Sequence, residues 1–332
     1  MTVLVTGGAG YVGAHMLLAL GDGGIDAVAL DDLSTGAEWL APDTSPLIVA
    51  DVGDRAALDK VFSDYDIDAV IHFAGSILIG QSLRDPNAYY RNNTANTLTL
   101  LEACAAHQVK HFIFSSTASV YGRPDQVPVS ETAPVNSITP YGASMAMSER
   151  VLSDAATAYG FNYATLRYFN VAGADPAGRA GEIGKPTHLI KAAAQIAAGI
   201  RKENLQIYGD DYPTPDGTAI RDFVHVSDLA EAHLLALGRL REDSSSFTLN
   251  CGYGRGYSVR EVVDAVGRVS GNELPFTIGE RRVGDPPQLI ADSATIRTLL
   301  DWRPRYDDLD FILRTAMDWE RKLADRAEDK SV

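Results

Sequence analysis

The chain has 332 residues, 45% hydrophobic and 22% charged, and no apolar run approaches the roughly 20 residues that span a bilayer. Its formal charge of −15 disfavours nucleic acid, whose phosphates need clustered Lys and Arg, so an anionic ligand has to be held by a few local arginines. Two cysteines, Cys104 and Cys251, carry no metal-ligand spacing and read as core residues of a protein in a reducing cytoplasm; no metal is expected. The N-terminus enters a strand at once, with no basic or long apolar leader, so export is not expected. At this length one large α/β unit with a smaller companion is the natural arrangement.

In chain order, Val3, Leu4 and Val5 form an apolar strand that runs into Thr6-Gly-Gly-Ala-Gly-Tyr-Val-Gly13 and then a helix-periodic segment. This is the strand, tight turn and helix that a dinucleotide site requires. Gly7 permits the turn, Gly10 lets backbone approach a pyrophosphate, and Gly13 lets helix pack on strand. A second strand over 27–30 ends in Asp31-Asp32, where a carboxylate can accept both ribose hydroxyls of an adenosine. The same carboxylate repels a 2′-phosphate, so NAD is expected rather than NADP. Strands over 47–50 and 69–73 end in Asp51-Val52 and Ala74-Gly75, small or polar residues suited to a cofactor wall. Helices are expected over 54–64, 85–106 and 140–159, which gives the βαβα rhythm of a Rossmann-type doubly wound parallel sheet.

The apolar run 111–114 ends in Ser115, Ser116, Thr117 and Ser119, at the strand end where open α/β sheets place ligands. Helix 140–159 has Pro140 in its first turn and puts Tyr141 and Met145 on one face. A strand over 163–168, running on through Phe169 and Asn170, completes residues 1–170. Residues 171–332 are expected to form a mixed α/β second lobe. Its segments are an irregular stretch to about 187, a helix over 189–200, the loop from Tyr208, the segment from Arg221, a strand over 247–251 and a helix over 258–270. Part of 217–250 is expected to return to the first sheet. The tail 324–332 reads as charged and frayed.

The glycine turn, Phe114-Ser-Ser-Thr-Ala-Ser-Val-Tyr-Gly122, Tyr141-Gly-Ala-Ser, Arg167-Tyr-Phe-Asn-Val-Ala-Gly-Ala174 and Gly209-Asp-Asp-Tyr-Pro-Thr-Pro-Asp-Gly-Thr-Ala-Ile-Arg-Asp-Phe-Val-His-Val226 together resemble the UDP-glucose 4-epimerase family of extended short-chain dehydrogenases. The resemblance implies a tightly held NAD, a UDP-hexose substrate and commonly a homodimer. It makes Tyr141 the base, Thr117 the hydroxyl that shuttles the 4-OH proton, and Ser115 and Ser116 neighbours of the nicotinamide. Gly7, Gly10, Tyr11, Val12, Gly13, Asp31, Asp51, Val52, Phe73, Ala74, Gly75, Asn93 and Tyr168 would hold the cofactor. Phe169, Asn170, His188, Leu189, Arg221, Arg282, Asp285 and Leu289 would hold the UDP-sugar. His72, His225 and His233 read as structural. Leu289 falls where narrow-specificity members have a bulkier tyrosine, so N-acetylated sugars are expected to fit. Ile77 and His188 depart from the lysine and asparagine of some members.

In the family reaction a hydride leaves C4 for NAD, the 4-keto sugar turns over, and the hydride returns to the other face. A phenol of ordinary pKa about 10 needs a cation to serve as the base, and the family supplies a lysine four residues after the tyrosine. Here that residue is Met145, so activity is expected to be strongly reduced. Three readings are open: an engineered Lys→Met exchange, which we favour; a naturally inactive NAD and UDP-sugar binder; and a slow epimerase, of this or another UDP-sugar. A sugar-nucleotide dehydratase is disfavoured, because that reaction uses Asp-Glu after the threonine and Ala118-Ser119 stand here. A non-enzymatic NAD sensor would not need Arg221, Arg282 and Asp285.

Overall fold

The structure is a computed structural model and describes residues 1–243, 245–282 and 284–329. It begins with β1 (Thr2–Thr6), whose interior residues are fully buried, and turns through Gly7 into α1 (Tyr11–Asp22). The helix buries Ala14, Met16, Leu17 and Leu20, the i, i+3, i+4 stripe of an amphipathic helix lying on a sheet. Then come β2 (Ala27–Asp31), β3 (Leu47–Val49), α2 (Arg55–Asp64) and β4 (Ile67–His72). Asp54 starts α2 by accepting from the amides of Ala56 and Ala57.

The helix expected over 85–106 is present as one helical run from Pro86 to Ala106, with a π-type segment inside it. After the short helix α3 (Ile79–Ser82), α4 (Pro86–Tyr89) leads through a π-type turn over Tyr90–Ala95 into α5 (Asn96–Ala106). β5 (His111–Thr117) extends through the hydroxyl cluster, so Ser115, Ser116 and Thr117 are strand residues. In α6 (Pro140–Tyr159), Thr139 accepts from the Gly142 amide, Pro140 fills the first turn and Gly160 closes the helix at φ 77°. β6 (Asn162–Tyr168) follows, and the chain breaks at Phe169 rather than continuing the same strand.

The rest comprises β7 (Asn170–Ala172), α7 (Leu189–Ala197), β8 (Leu205–Tyr208), β9 (Ile220–Arg221), β10 (Phe223–His225), α8 (Val226–Glu242) and β11 (Phe247–Cys251). It closes with β12 (Tyr257–Ser258), α9 (Val259–Ser270), β13 (Phe276–Gly279), β14 (Gln288–Leu289), α10 (Ala294–Leu299) and α11 (Leu309–Asp329). The tail expected to fray from 324 is helical through Asp329, and 330–332 lie outside the described residues.

Seven parallel strands form the main sheet in the order β11-β6-β5-β4-β1-β2-β3. β11 is one edge strand and α8 packs on α1, so the chain re-enters the first sheet after β10. Smaller pairings lie outside it: β10 with β7, β12-β9-β14, and β13 with β8. The strand order reverses between β1 and β4, whose carboxyl ends lie side by side with Thr6 paired to His72. That reversal opens a crevice at the strand tips, the place where a doubly wound sheet binds ligands. No helix among the described residues is long and apolar enough to cross a membrane.

Candidate active site

The glycine turn is shaped by close approach. Gly7 has φ +71°, and a Cβ there would lie 2.7 Å from the Ala74 amide nitrogen; one on Gly13 would lie 2.0 Å from the Gly7 carbonyl oxygen. α1 starts with no side-chain cap and no acid in its first turn, so its amino end is left for an anion. Tyr11 does not face that end with its hydroxyl, which donates to the Gly173 carbonyl at 2.6 Å. Asp31 accepts from the amides of Ala9 (2.9 Å) and Leu33 (2.8 Å), and burial raises its pKa above the usual carboxylate value. These features fit a dinucleotide: an uncapped helix end for the pyrophosphate and a carboxylate at the end of β2 for the ribose. Asp51 is exposed and accepts from the Gly53 amide and the Asn96 side chain, and Val52 is buried beside it.

At the tips of β4, β5 and β6 one pocket is lined by Phe73, Ala74, Gly75, Asn93, Ser115, Tyr141, Met145 and Tyr168. The structure thus brings eight of the expected residues together. Asn93 sits in the π-type turn, a common device for re-aiming a functional side chain. It accepts from the Ser76 amide (2.7 Å) and donates to the Ser144 hydroxyl (3.0 Å), tying the loop after β4 to α6. Tyr141 is buried, with the ring of Tyr89 edge-on to its own at 6.3 Å. Its pKa is pushed up to about 12, first by burial; the Thr117 hydroxyl pulls it down, and no cation among the described residues acts on it.

Ser116 does not line this pocket. Its hydroxyl donates to Glu149, which also takes Arg167 through Nη2 (2.6 Å) and Nε (3.0 Å). Arg167 in turn donates to the Tyr121 hydroxyl, which donates to Asn250 at 2.6 Å. This buried network binds β5, α6, β6 and β11 behind the site, and the sequence reading missed it. The available signal was Glu149 one turn beyond Met145 on the same face of α6.

The second-lobe residues are more dispersed. Phe169 is buried, and Asn170 pairs with Phe223 between β7 and β10. His188 bonds Glu182 at 2.9 Å and stands just before Leu189, the first residue of α7. Leu289 on β14 is in register with Arg221 on β9. Arg221 and Asp285, both expected to hold the UDP-sugar, are ion-paired with each other. Two N–H groups of Arg221 are committed, to Asp285 and to the Ile220 carbonyl, which leaves three of the guanidinium's five for an anion. Arg282 lies 3.9 Å over the ring of Tyr208, an aromatic neighbour the sequence reading did not single out.

The three histidines read as structural are each bonded at both ring nitrogens. His72 meets Thr6 and Thr97, His225 meets Ser227 and Thr315, and His233 meets Leu229 and Ser115. Both cysteines are buried and reduced. Among the described residues, no group of three or more His, Cys, Asp or Glu side chains is placed to hold a metal.

Comparison with known proteins agrees with this geometry. Residues 3–252 match the NAD dependent epimerase/dehydratase family. The chain is 55% identical to the UDP-glucose 4-epimerase of Azospirillum brasilense, over 97% of this chain and 92% of that protein. A solved UDP-glucose 4-epimerase from Stenotrophomonas maltophila, with bound NAD and formylated UDP-arabinopyranose, superposes with a TM-score of 0.94 at 39% identity, covering 98% of this chain and 99% of that one. The Bifidobacterium longum enzyme, in complex with NAD+ and UDP, gives 0.92 at 37% identity over 97% and 98%. The chain belongs to the NAD dependent epimerase/dehydratase family, and within it to the UDP-glucose 4-epimerases.

Proposed function

We propose that the protein binds NAD and interconverts UDP-galactose and UDP-glucose, with turnover strongly reduced by Met145. The observation that carries this reading is Tyr141 in the switch-point pocket, with Thr117 as its acidifying neighbour. Residues 1–170 hold the cofactor and residues 171–332 the UDP-sugar, with part of 217–250 returned to the first sheet.

NAD, when bound, supplies the acceptor and donor of the C4 hydride. Gly7, Gly10, Tyr11, Val12 and Gly13 receive its pyrophosphate at the start of α1. Asp31 takes the adenosine ribose, and Asp51 and Val52 stand on the adenine side. Phe73, Ala74, Gly75, Asn93, Ser115 and Tyr168 surround the nicotinamide end. Ser116 acts by holding the tip of β5 through Glu149. Tyr141 takes the 4-hydroxyl proton through Thr117 and later returns it. Arg221, released in part from Asp285, and Arg282 grip the diphosphate, because a carboxylate-rich chain needs bidentate donors there. Phe169, Asn170, His188, Leu189, Asp285 and Leu289 complete the UDP-sugar site.

Met145 supplies neither charge nor a strong donor and stands in place of the family's lysine. Leu289, short and next to Arg221 in register, favours acceptance of N-acetylated sugars as well. A cytoplasmic homodimer is part of the proposal, checked by light scattering. The function is tested by two binding measurements on purified protein. NAD released on denaturation and saturable UDP-glucose binding by calorimetry are expected; a protein that takes up neither refutes it.

A further inference from the structure

We infer that the last helix belongs to the cofactor site: α11 clasps the loop that walls the adenosine end, and Trp39 is the positioning residue that receives the clasp. The inference rests on the NAD reading above. The loop leaves β2 at Asp31 and is stitched to the glycine turn at its near end. The Leu33 amide donates to Asp31, the Ala37 amide donates to the Ala9 carbonyl at 3.0 Å, and a Cβ on Gly36 would stand 2.8 Å from that same carbonyl oxygen. This near end has no freedom to move without opening the ribose site.

The far end is held by the other lobe. Leu40 is buried in an apolar cluster with Ala14 of α1, Ala174, Ala180 and Trp319 of α11. The Trp39 ring stacks on Trp319, with centroids 6.1 Å apart and planes 25° apart. The Arg326 guanidinium lies 4.0 Å over the Trp39 ring, and Lys322 donates to the Gly178 carbonyl. Arg179 bridges Asp175 and Asp22, joining the second lobe to the end of α1. For the loop to swing away from Asp31, this stack must come apart. A reaction that removes a hydride and returns it to the same substrate works only if the dinucleotide stays bound between the two transfers. The clasp therefore acts on cofactor retention rather than on chemistry at C4.

The test is the rate at which NADH leaves the full-length protein on mixing with excess NAD, followed by NADH fluorescence. Trp39→Ala is expected to release NADH about tenfold faster and Arg326→Gln about threefold faster, from the loss of stacking and cation–π contacts. Trp39→Phe should return most of the retention, and UDP affinity should hold in all three. Arg326 is exposed, so its variant carries the test even if Trp39→Ala fails to fold. Release rates within about twofold of the parent in Trp39→Ala and Arg326→Gln would overturn the inference, as would a parallel loss of UDP affinity. A parent protein that releases no NAD on denaturation and takes up no NADH once stripped of nucleotide overturns the NAD reading itself, and this inference with it.

Discussion

Met145 follows Tyr141 by one turn of α6, and both side chains line the same pocket, so the phenol has a thioether where it needs a cation. With its pKa near 12, ionising Tyr141 at pH 7 costs about 7 kcal/mol, against about 4 for an unperturbed phenol. A positively charged ligand beside it recovers part of this.

The first prediction concerns pH. If phenolate is the working form, turnover should rise about tenfold per unit between pH 7 and 10. Met145→Lys should lower the pKa and level the profile off earlier. A flat log kcat profile for the unaltered protein would mean that Tyr141 does not ionise in the slow step.

The Glu149–Arg167 pair is a stability prediction. Both side chains are about one-tenth exposed and carry the hydrogen bonds of Ser116 and Tyr121. Removing one partner strands a buried charge, so Arg167→Met should cost roughly 3–5 kcal/mol in urea denaturation. The double replacement with Glu149→Gln should recover part of that loss. Equal stability of single and double variants would show that the charges are not coupled.

For the second lobe, Arg282→Ala should weaken UDP binding about 10- to 100-fold and leave NAD uptake unchanged, because one charge-assisted contact to a diphosphate is lost. Calorimetry with UDP alone reads this directly. Unaltered affinity would remove Arg282 from the ligand site.

Acid should unfold the protein earlier than its carboxylates alone dictate. Burial lowers His15, His72 and His233 to about 4 and His225 to about 3. Between pH 6.5 and these values the unfolded chain binds more protons than the folded one, so stability falls as pH falls through that window. One histidine held near 4 contributes on the order of 3 kcal/mol to this loss. Asp222, raised to about 6 by burial, works in the opposite sense between 6 and 3.8, as do Asp31, Asp228 and Asp307, which burial also raises; the four imidazoles, joined by His111, which burial also lowers, carry the larger shifts across pH 7 to 5. The urea midpoint should drop steadily from pH 7 to 5; a midpoint that does not move would contradict the neutral, buried assignment.

The cofactor half of the fold was legible because its signals are local. The glycine turn, the apolar strands and the Pro140-capped helix each declare themselves within a dozen residues. Three features depend on distant partners and were not. The π-type turn that aims Asn93 has no periodicity of its own, so it does not show within the helix read over 85–106. Arg221 and Asp285 lie in separate loops, and no sequence pattern says that they pair. The end of α11 carries too few apolar residues to read as ordered, yet Arg326 is held there by Trp39 from the other lobe.

The measurement that bears most directly on the account is conversion of UDP-galactose to UDP-glucose by the protein with Met145 and by its Met145→Lys variant, at equal NAD occupancy. The variant should be faster by about a thousandfold or more, as expected when a phenol of pKa 10 or above is brought near neutrality. Equal turnover in the two proteins would contradict the roles assigned to Met145 and Tyr141.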